Sequence, residues 1–160
     1  MTKQEKEAVL IDVCRYIRDG LKGDNLQWNM TNVHSGTIGL RRYQRYGEYV
    51  RLSRRNGAQW IDLYVYLRQT QGAGQALRNV LIARKNSYRE VAPHGVDVEW
   101  NENPQGDNSQ CLVHYYAPIN WENWENLQAQ QKDVILNAFR SLHNVAGDVV
   151  NLMGDWNETC

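Results

Sequence analysis

Apolar residues near the start of the chain recur every three or four positions, which is the spacing of one face of an α-helix. This apolar stripe consists of Leu10, Val13, Cys14, Ile17 and Leu21. Thr2 and Glu5 have the spacing of a capping box, in which each side chain accepts a hydrogen bond from the other residue's backbone N–H. The pattern therefore predicts a helix that begins after Thr2 and ends near Lys22, beside two glycines.

Alternation with a period of two residues replaces the helical spacing after a predicted turn at Ser35–Gly36. Residues 37–45 and 47–55 are predicted strands, separated by a turn at Tyr46–Gly47. Asn56–Gly57, which follows them, is the strongest hairpin signal in the chain.

The clearest alternation lies in residues 60–68, WIDLYVYLR. One face carries the aliphatic residues Ile61, Leu63, Val65 and Leu67. The other face carries polar and aromatic residues, namely Trp60, Asp62, Tyr64, Tyr66 and Arg68. This pattern predicts a strand with one face in the core.

A helix, a hairpin and a second helix are predicted after this strand. Residues 69–74 form a turn that opens a central helix, which closes at Pro93–Gly95. Residues 96–100 and 111–117 are predicted strands that pair as a hairpin. The segment that starts at Trp121 begins a long C-terminal helix.

These elements predict an α+β fold over residues 1–160 as a single domain. An antiparallel sheet of about five strands has an N-terminal helix, a central helix and a long C-terminal helix packed on it. No apolar run approaches the roughly 18 residues of a membrane span and the charged N-terminus is not a signal peptide, so a cytoplasmic protein is expected. Three widely spaced cysteines suit reduced thiols, and no His or Cys spacing predicts a metal or a cofactor.

The net charge of zero conceals a separation of charge along the chain. Residues 31–92 contain eleven basic and three acidic side chains, a net charge of +8, whereas residues 93–160 contain two basic and ten acidic ones, a net charge of −8. Two interpretations are open: the two segments fold against each other and neutralise, or the molecule is dipolar with one face for phosphates.

Aromatic motifs follow one another in a distinctive order. Trp28 precedes the Ser35–Gly36 turn, and the strand WIDLYVYL, the segment VDVEWNENP, the strand CLVHYY and a tryptophan-rich start to a helix containing NAFRSL come after it. Over residues 8–145 this order resembles a bacterial and phage family classified as a domain of unknown function, often the C-terminal partner of a nuclease-like domain. The resemblance implies an accessory role near DNA metabolism or defence, and it carries over no catalytic residue.

The sequence lacks the full set of residues that a metal-dependent nuclease site requires. A metal nuclease of the restriction type needs an Asp, then an acid, one residue and a Lys on the next strand. Asp62, Asp97 and Glu99 supply the carboxylates, but Asn101 stands where the Lys is needed, so Asp97 and Glu99 are interpreted as the exposed face of an edge strand.

Nucleophilic catalysis by a cysteine is not expected either. Cys14 lies on the apolar stripe of the first helix, which is typical of a core side chain. Cys111 and His114 are predicted to lie on opposite faces of their strand, which excludes a local Cys–His pair.

The segment from Leu40 to Gly57 contains six arginines: Arg41, Arg42, Arg45, Arg51, Arg54 and Arg55. Neighbouring arginines face opposite sides of a strand, so all six cannot share one surface. Three or four of them, with Tyr43, Tyr64 and Tyr66, would suit phosphates and stacked bases. In the other interpretation the tyrosines belong to the core and the arginine stems pack across them.

Two functions are predicted from these observations. The first is a non-enzymatic binding protein of phage or mobile-element type, for example an anti-CRISPR or anti-restriction inhibitor. Its partner would be a host protein or nucleoprotein complex of a nucleic-acid-handling or defence system, with nucleic acid contacted through the arginine segment. The second is a nuclease-associated DNA-binding accessory domain or a degenerate metal-dependent nuclease.

Overall fold

The structure, a computed structural model, describes residues 1–43, 46–67, 73–102 and 111–153. Its helices are α1 (Lys3–Gly20), α2 (Ala73–Ala83), α3 (Lys85–Val91) and α4 (Ala129–Met153). Its strands are β1 (Thr37–Arg42), β2 (Tyr46–Arg55), β3 (Ala58–Leu67), β4 (Asp97–Trp100) and β5 (Cys111–Ala117). Short 3₁₀ helices at Lys22–Asp24 and Trp121–Asn126 follow α1 and precede α4.

The five strands form one antiparallel sheet in the order β1-β2-β3-β5-β4. The first three strands form a meander, and the β4–β5 hairpin adds to it through β5. The prediction of an α+β fold with an antiparallel sheet of about five strands is therefore confirmed.

The local signals at the start of α1 and between β2 and β3 act as predicted. Thr2 and Glu5 form the capping box, with hydrogen bonds of 2.8 and 3.1 Å. Asn56 and Gly57 both have positive φ, 52° and 79°, as a two-residue hairpin of type I′ requires. These two signals set the start of the first helix and the register of the central hairpin.

The prediction of a turn at Tyr46–Gly47 is wrong. The backbone N–H of Tyr43 donates to the carbonyl of Tyr46, and β2 already begins at Tyr46, so Tyr46–Gly47 is strand and not turn. The Tyr46 ring is buried, and its hydroxyl donates to Glu48 Oε1 over 2.7 Å. This inward contact keeps the start of β2 extended against the core.

Two predicted helices are each interrupted. The central helix is divided into α2 and α3 at Arg84, whose ψ is 5°. The segment that begins at Trp121 is a 3₁₀ helix that ends at Leu127, whose φ and ψ of −73° and 142° are extended. Helix α4 then starts afresh, because the Gln131 side chain accepts a hydrogen bond from the backbone of Gln128, as in a capping box.

All four helices lie on one face of the sheet, because α1, α2 and α3 each contact α4, and α4 contacts β2, β3 and β5. The core between helices and sheet includes the aliphatic face of β3, which is fully buried as predicted. Within the described ranges, no helix has the length and apolar character needed to cross a membrane.

Two β-bulges interrupt the alternation of the sheet. In β1 the register passes from Gly39↔Tyr49 to Arg41↔Glu48, so Leu40 is an extra residue. In β5 the register passes from Val113↔Val65 to Cys111↔Tyr66, so Leu112 is extra. Each bulge sends two consecutive side chains, Leu40 with Arg41 and Leu112 with Val113, into the buried layer.

Candidate functional site

The sheet has a second face on which none of the described helices packs, and we call it the open face. It carries aromatic and charged side chains and one thiol, whereas the core face is mainly aliphatic. All five strands contribute side chains to it: Thr37, Arg42, Tyr49, Arg51, Arg55, Trp60, Asp62, Tyr64, Tyr66, Asp97, Glu99, Cys111, His114 and Tyr116.

Aromatic rings contact one another along the middle of the open face. Tyr49 stacks on Tyr64 with ring centroids 5.4 Å apart, and Tyr64 lies 5.5 Å from His114. His114 in turn stacks on Tyr116 at 5.2 Å, with 12° between the ring planes. Four rings from β2, β3 and β5 thus form a continuous row across three strands.

A pocket of about 380 Å³ opens beside Tyr49 and Tyr64, and we call it the tyrosine pocket. One wall is formed by the segment before β1, which is hydrogen-bonded to that strand. Thr31 and Gly39 exchange two hydrogen bonds, and the Asn29 side chain accepts from the backbone N–H of Arg42 and donates to its carbonyl. The lining residues are Thr31, Asn32, His34, Ser35, Thr37, Gly39, Arg42, Tyr49, Tyr64 and Tyr66.

Two glycines give the Tyr49 ring its place in this pocket. A Cβ added at Gly47 would lie 2.5 Å from Tyr49 Cε2, and one added at Gly39 would lie 3.2 Å from Cε1. Because glycine carries no Cβ, the ring can lie across the backbone of both strands. The pocket floor is therefore a flat ring.

Three arginines accompany the rings. Arg42 lines the tyrosine pocket, and its buried Nε has no hydrogen-bond partner among the described residues. Arg51 lies 5.5 Å above the Tyr64 ring and its Nε donates to Asp62 Oδ2 over 2.6 Å. Arg55 lies 4.0 Å above the Tyr116 ring and pairs with two carboxylates of β4, Asp97 and Glu99.

The other predicted surface residues are placed differently. The prediction that Arg41 and Tyr43 belong to a surface patch is wrong, because both side chains are buried and bond to each other below the sheet. Arg54 is exposed, but it pairs with Glu122 and lies over the Trp121 ring, away from the tyrosine pocket. Arg45 lies outside the described residues, as do Arg68 and the first four residues of the predicted turn at 69–74.

Cys111 and His114 share the open face, so the prediction that they lie on opposite faces is wrong. The bulge at Leu112 adds one residue between them and inverts the alternation. His114 Nε2 lies 3.2 Å from Cys111 Sγ, and His114 Nδ1 lies 2.8 Å from Asp62 Oδ1. We call Asp62, His114 and Cys111 the thiol triad.

The His114 ring is held as a cation by its neighbours. Burial by itself would lower the pKa of His114, but hydrogen bonds to Asp62 and Cys111 and the charges of both groups raise it to about 10. Asp62 is fully buried, which strengthens its interaction with the ring.

The His114 ring is therefore expected to keep its proton through pH 6.5, the ordinary value for histidine, and to lose it only near pH 10. Because the folded pKa is raised, its contribution to stability is fully present below pH 6.5 and disappears as the pH rises through about 10. An NMR titration of the imidazole resonances measures this directly. A midpoint near pH 6.5 would show that the Asp62 contact does not hold in solution.

The charge separation along the chain is partly neutralised in the fold. Basic side chains of residues 31–92 pair with acidic side chains of residues 93–160 in four places: Arg54 with Glu122, Arg55 with Asp97 and Glu99, Arg84 with Asp148, and Lys85 with Glu102. This favours the interpretation in which the two segments fold against each other. Two arginines of the open face, Arg51 and Arg55, consequently lie beside carboxylates and do not form a uniformly positive surface.

The carboxylates considered for a nuclease are engaged by cations. Asp62 bonds to Arg51 and His114, whereas Asp97 and Glu99 pair with Arg55 and are exposed, as the edge-strand interpretation predicted. In the part of the chain that the structure describes, no group of three or more His, Cys, Asp or Glu could hold a metal ion.

The predicted binding residues did not include the rings of Tyr49, His114 and Tyr116 or the thiol of Cys111, which all lie on this face. Tyr49 could have been found, because it alternates with the apolar Val50 just as Arg51 does. His114 and Cys111 could not, because nothing in the strand CLVHYY marks Leu112 as an extra residue.

Comparison of the chain with protein-family models, with curated proteins and with solved structures gave no match. The resemblance of the motif order to a domain of unknown function thus stays a prediction.

Proposed function

We propose that the chain is a binding protein whose open face holds a single-stranded nucleic acid. Bases stack on the aromatic rings of the open face, including Tyr66 of the tyrosine pocket, and phosphates contact the arginines beside them. The observation that carries this proposal is the tyrosine pocket, which is lined by the rings of Tyr49, Tyr64 and Tyr66 together with the side chain of Arg42.

Ring stacking supplies most of the binding free energy in this proposal. Base–aromatic stacking contributes about 1–3 kcal/mol per base and tolerates any sequence, because every base has a π-face. The unpaired bases of a single strand can stack on aromatic side chains of the sheet, whereas the bases of a duplex are already stacked on one another. Single strands are therefore the expected ligand.

Phosphate contacts are limited by the pairs already present. Only Arg42, Arg51 and Arg55 flank the rings within the described residues, and the last two pair with carboxylates. Each phosphate neutralised on a single strand contributes about −0.7 to the slope of log affinity against log salt. With at most three phosphates, the slope should not be steeper than about −2.

The wider role predicted from the sequence, action on a host nucleic-acid-handling or defence system, stays a proposal. In that setting the open face would contact a single-stranded segment of a host nucleoprotein complex. Of the two alternatives, a metal-dependent nuclease would show Mg²⁺-dependent cleavage, whereas a nuclease-associated accessory domain would bind DNA without cleaving it.

Removal of one ring and one arginine tests the proposal. Tyr66→Leu and Arg42→Ala should each weaken the binding of a fluorescent single-stranded oligonucleotide by about 1–3 kcal/mol, measured by anisotropy. Tyr66→Leu retains apolar bulk but removes the flat ring.

Matched controls on the helical layer are Tyr16→Leu in α1 and Arg140→Ala in α4, which should leave affinity unchanged. Equal losses in the control variants would show that the open face is not the contact surface. Mg²⁺-dependent cleavage that is lost in Asp62→Asn would support the nuclease alternative instead.

A further inference from the structure

The thiol triad has the geometry of a nucleophile, a base and an orienting acid. Cys111 Sγ, His114 Nε2, His114 Nδ1 and Asp62 Oδ1 follow one another with separations of 3.2 Å between sulfur and nitrogen and 2.8 Å between nitrogen and oxygen. Each separation is within hydrogen-bond reach, which is the diagnostic arrangement for an activated nucleophile. Binding of nucleic acid does not explain why a thiol, an imidazole and a buried carboxylate lie in line.

We propose that Cys111 is the nucleophile of an acyl-transfer site, with His114 as its acid and base and Asp62 as the residue that orients His114. The substrate class is a small ester or thioester. This inference is independent of the proposed nucleic-acid binding.

The reaction proceeds in two balanced steps. The Cys111 thiolate forms a bond to the carbonyl carbon, the bond to the alcohol or thiol leaving group breaks, and that group takes the proton from His114 Nε2. Water then attacks the resulting thioester and gives a proton to His114, which releases the carboxylic acid and restores the thiolate and the imidazolium.

Two cationic side chains contact Cys111, one at its sulfur and one at its backbone carbonyl. The first is His114, which the Asp62 carboxylate keeps protonated. The second is Arg78 of α2, a fully buried residue whose Nη1 donates to the carbonyl of Cys111 over 3.0 Å. Thiolates form where positive charge surrounds a cysteine.

A pocket of about 180 Å³ lies at this thiol. It is lined by Glu99, Trp100, Asn101, Cys111 and His114. Its volume fits an acyl group of a few heavy atoms, and its polar lining suits an ester carbonyl better than a long apolar chain. The pocket limits the substrate to a small acyl group.

Cys14 provides an internal contrast. It lies in the core and has no exposed surface, and burial raises the pKa of its thiol far above the ordinary value. A buried neutral thiol is inert, so a reagent that distinguishes Cys111 from Cys14 reports the environment of the triad.

Charged and titratable groups from five elements surround the triad. They are Arg51 from β2, Asp62 and Tyr64 from β3, Arg78 from α2, Glu99 from β4, and His114 and Tyr116 from β5. Burial raises the pKa of Tyr64 and of Tyr116, the latter to about 12, so neither ring titrates near neutrality.

Acylation of the full chain by p-nitrophenyl acetate tests the proposal. We expect a burst of about one equivalent of p-nitrophenolate, and one acetyl group on the peptide that contains Cys111. Cys14 should remain unmodified, and peptide mapping separates any adduct at Cys160. Cys111→Ala should abolish the burst, and His114→Gln should slow acylation by about 10²-fold or more.

Several results would overturn the proposal. They are an unmodified Cys111 peptide, a burst that persists in Cys111→Ala, and a His114→Gln variant that is folded and reacts at the parent rate. If the His114→Gln variant does not fold, the pH dependence of the acylation rate of the unsubstituted protein tests the proposal instead. A rate that stays level from about pH 8 down to about pH 6 indicates the thiolate–imidazolium pair, whereas a tenfold loss per pH unit indicates an ordinary thiol and refutes it.

Discussion

Replacement of Glu48 by Ala is expected to lower the free energy of unfolding by about 3–5 kcal/mol, because it leaves a buried positive charge without its counter-ion. Glu48 is fully buried, and Oε1 accepts a hydrogen bond from Tyr46 and lies 2.6 Å from His143 Nδ1 and 3.7 Å from Arg41 Nη1. Denaturation in urea, with an unchanged m-value, measures the loss.

An exposed ion pair provides the matched control. Glu122→Ala removes the partner of Arg54, but both side chains are more than a third exposed. Exposed pairs contribute about 0–1 kcal/mol, so Glu122→Ala should change stability little. Comparable losses for Glu48→Ala and Glu122→Ala would contradict the buried cluster.

Truncation of Trp100 to Ala is the second large effect, with an expected loss of about 3–5 kcal/mol as a buried aromatic side chain is removed. Trp100 is 7 % exposed at the end of β4, and its ring stacks on Tyr88 of α3 at a centroid distance of 5.5 Å. The substitution thus breaks the contact that holds the β4 edge to the helical layer. Thermal and urea unfolding both report it.

Trp100→Phe separates ring packing from hydrogen bonding. The indole Nε1 has no hydrogen-bond partner within the described residues, so Phe removes an unsatisfied donor and keeps a ring against Tyr88. We expect Trp100→Phe to retain most of the stability. A loss below about 1 kcal/mol for Trp100→Ala would instead show that the side chain is not part of the core.

Signals that act over a few residues were readable from the sequence. The capping box at Thr2, the Asn56–Gly57 turn and the alternation of residues 60–67 each depend on neighbours in the chain, and each holds in the structure. The same alternation correctly placed Tyr64 and Tyr66 together on one face.

The bulges were not readable, because a bulge inserts one residue without any change in composition. In β5 the insertion at Leu112 brings Cys111 to the side of His114 and so creates the thiol triad. In β1 the insertion at Leu40 places Arg41 in the core beside Glu48. The pair that strict alternation assigned wrongly, Cys111 and His114, lies on either side of a bulge.

Charge partners were also beyond sequence reasoning, since they depend on tertiary contacts. Arg54 and Glu122 are far apart in sequence, and so are Arg55 and its partners in β4. The sequence could show that opposite charges exist in separate segments, but not which arginines remain available to a ligand. Under the proposed function, we therefore expect ring stacking to contribute most of the affinity of the open face.

The central claim is that the open face binds a single strand through its rings. The most direct measurement is an anisotropy titration with single-stranded and duplex oligonucleotides of one sequence at several salt concentrations. We predict a preference for the single strand and a slope of log affinity against log salt no steeper than about −2. Preference for the duplex, a slope of about −5 or steeper, or no binding to either would contradict the account.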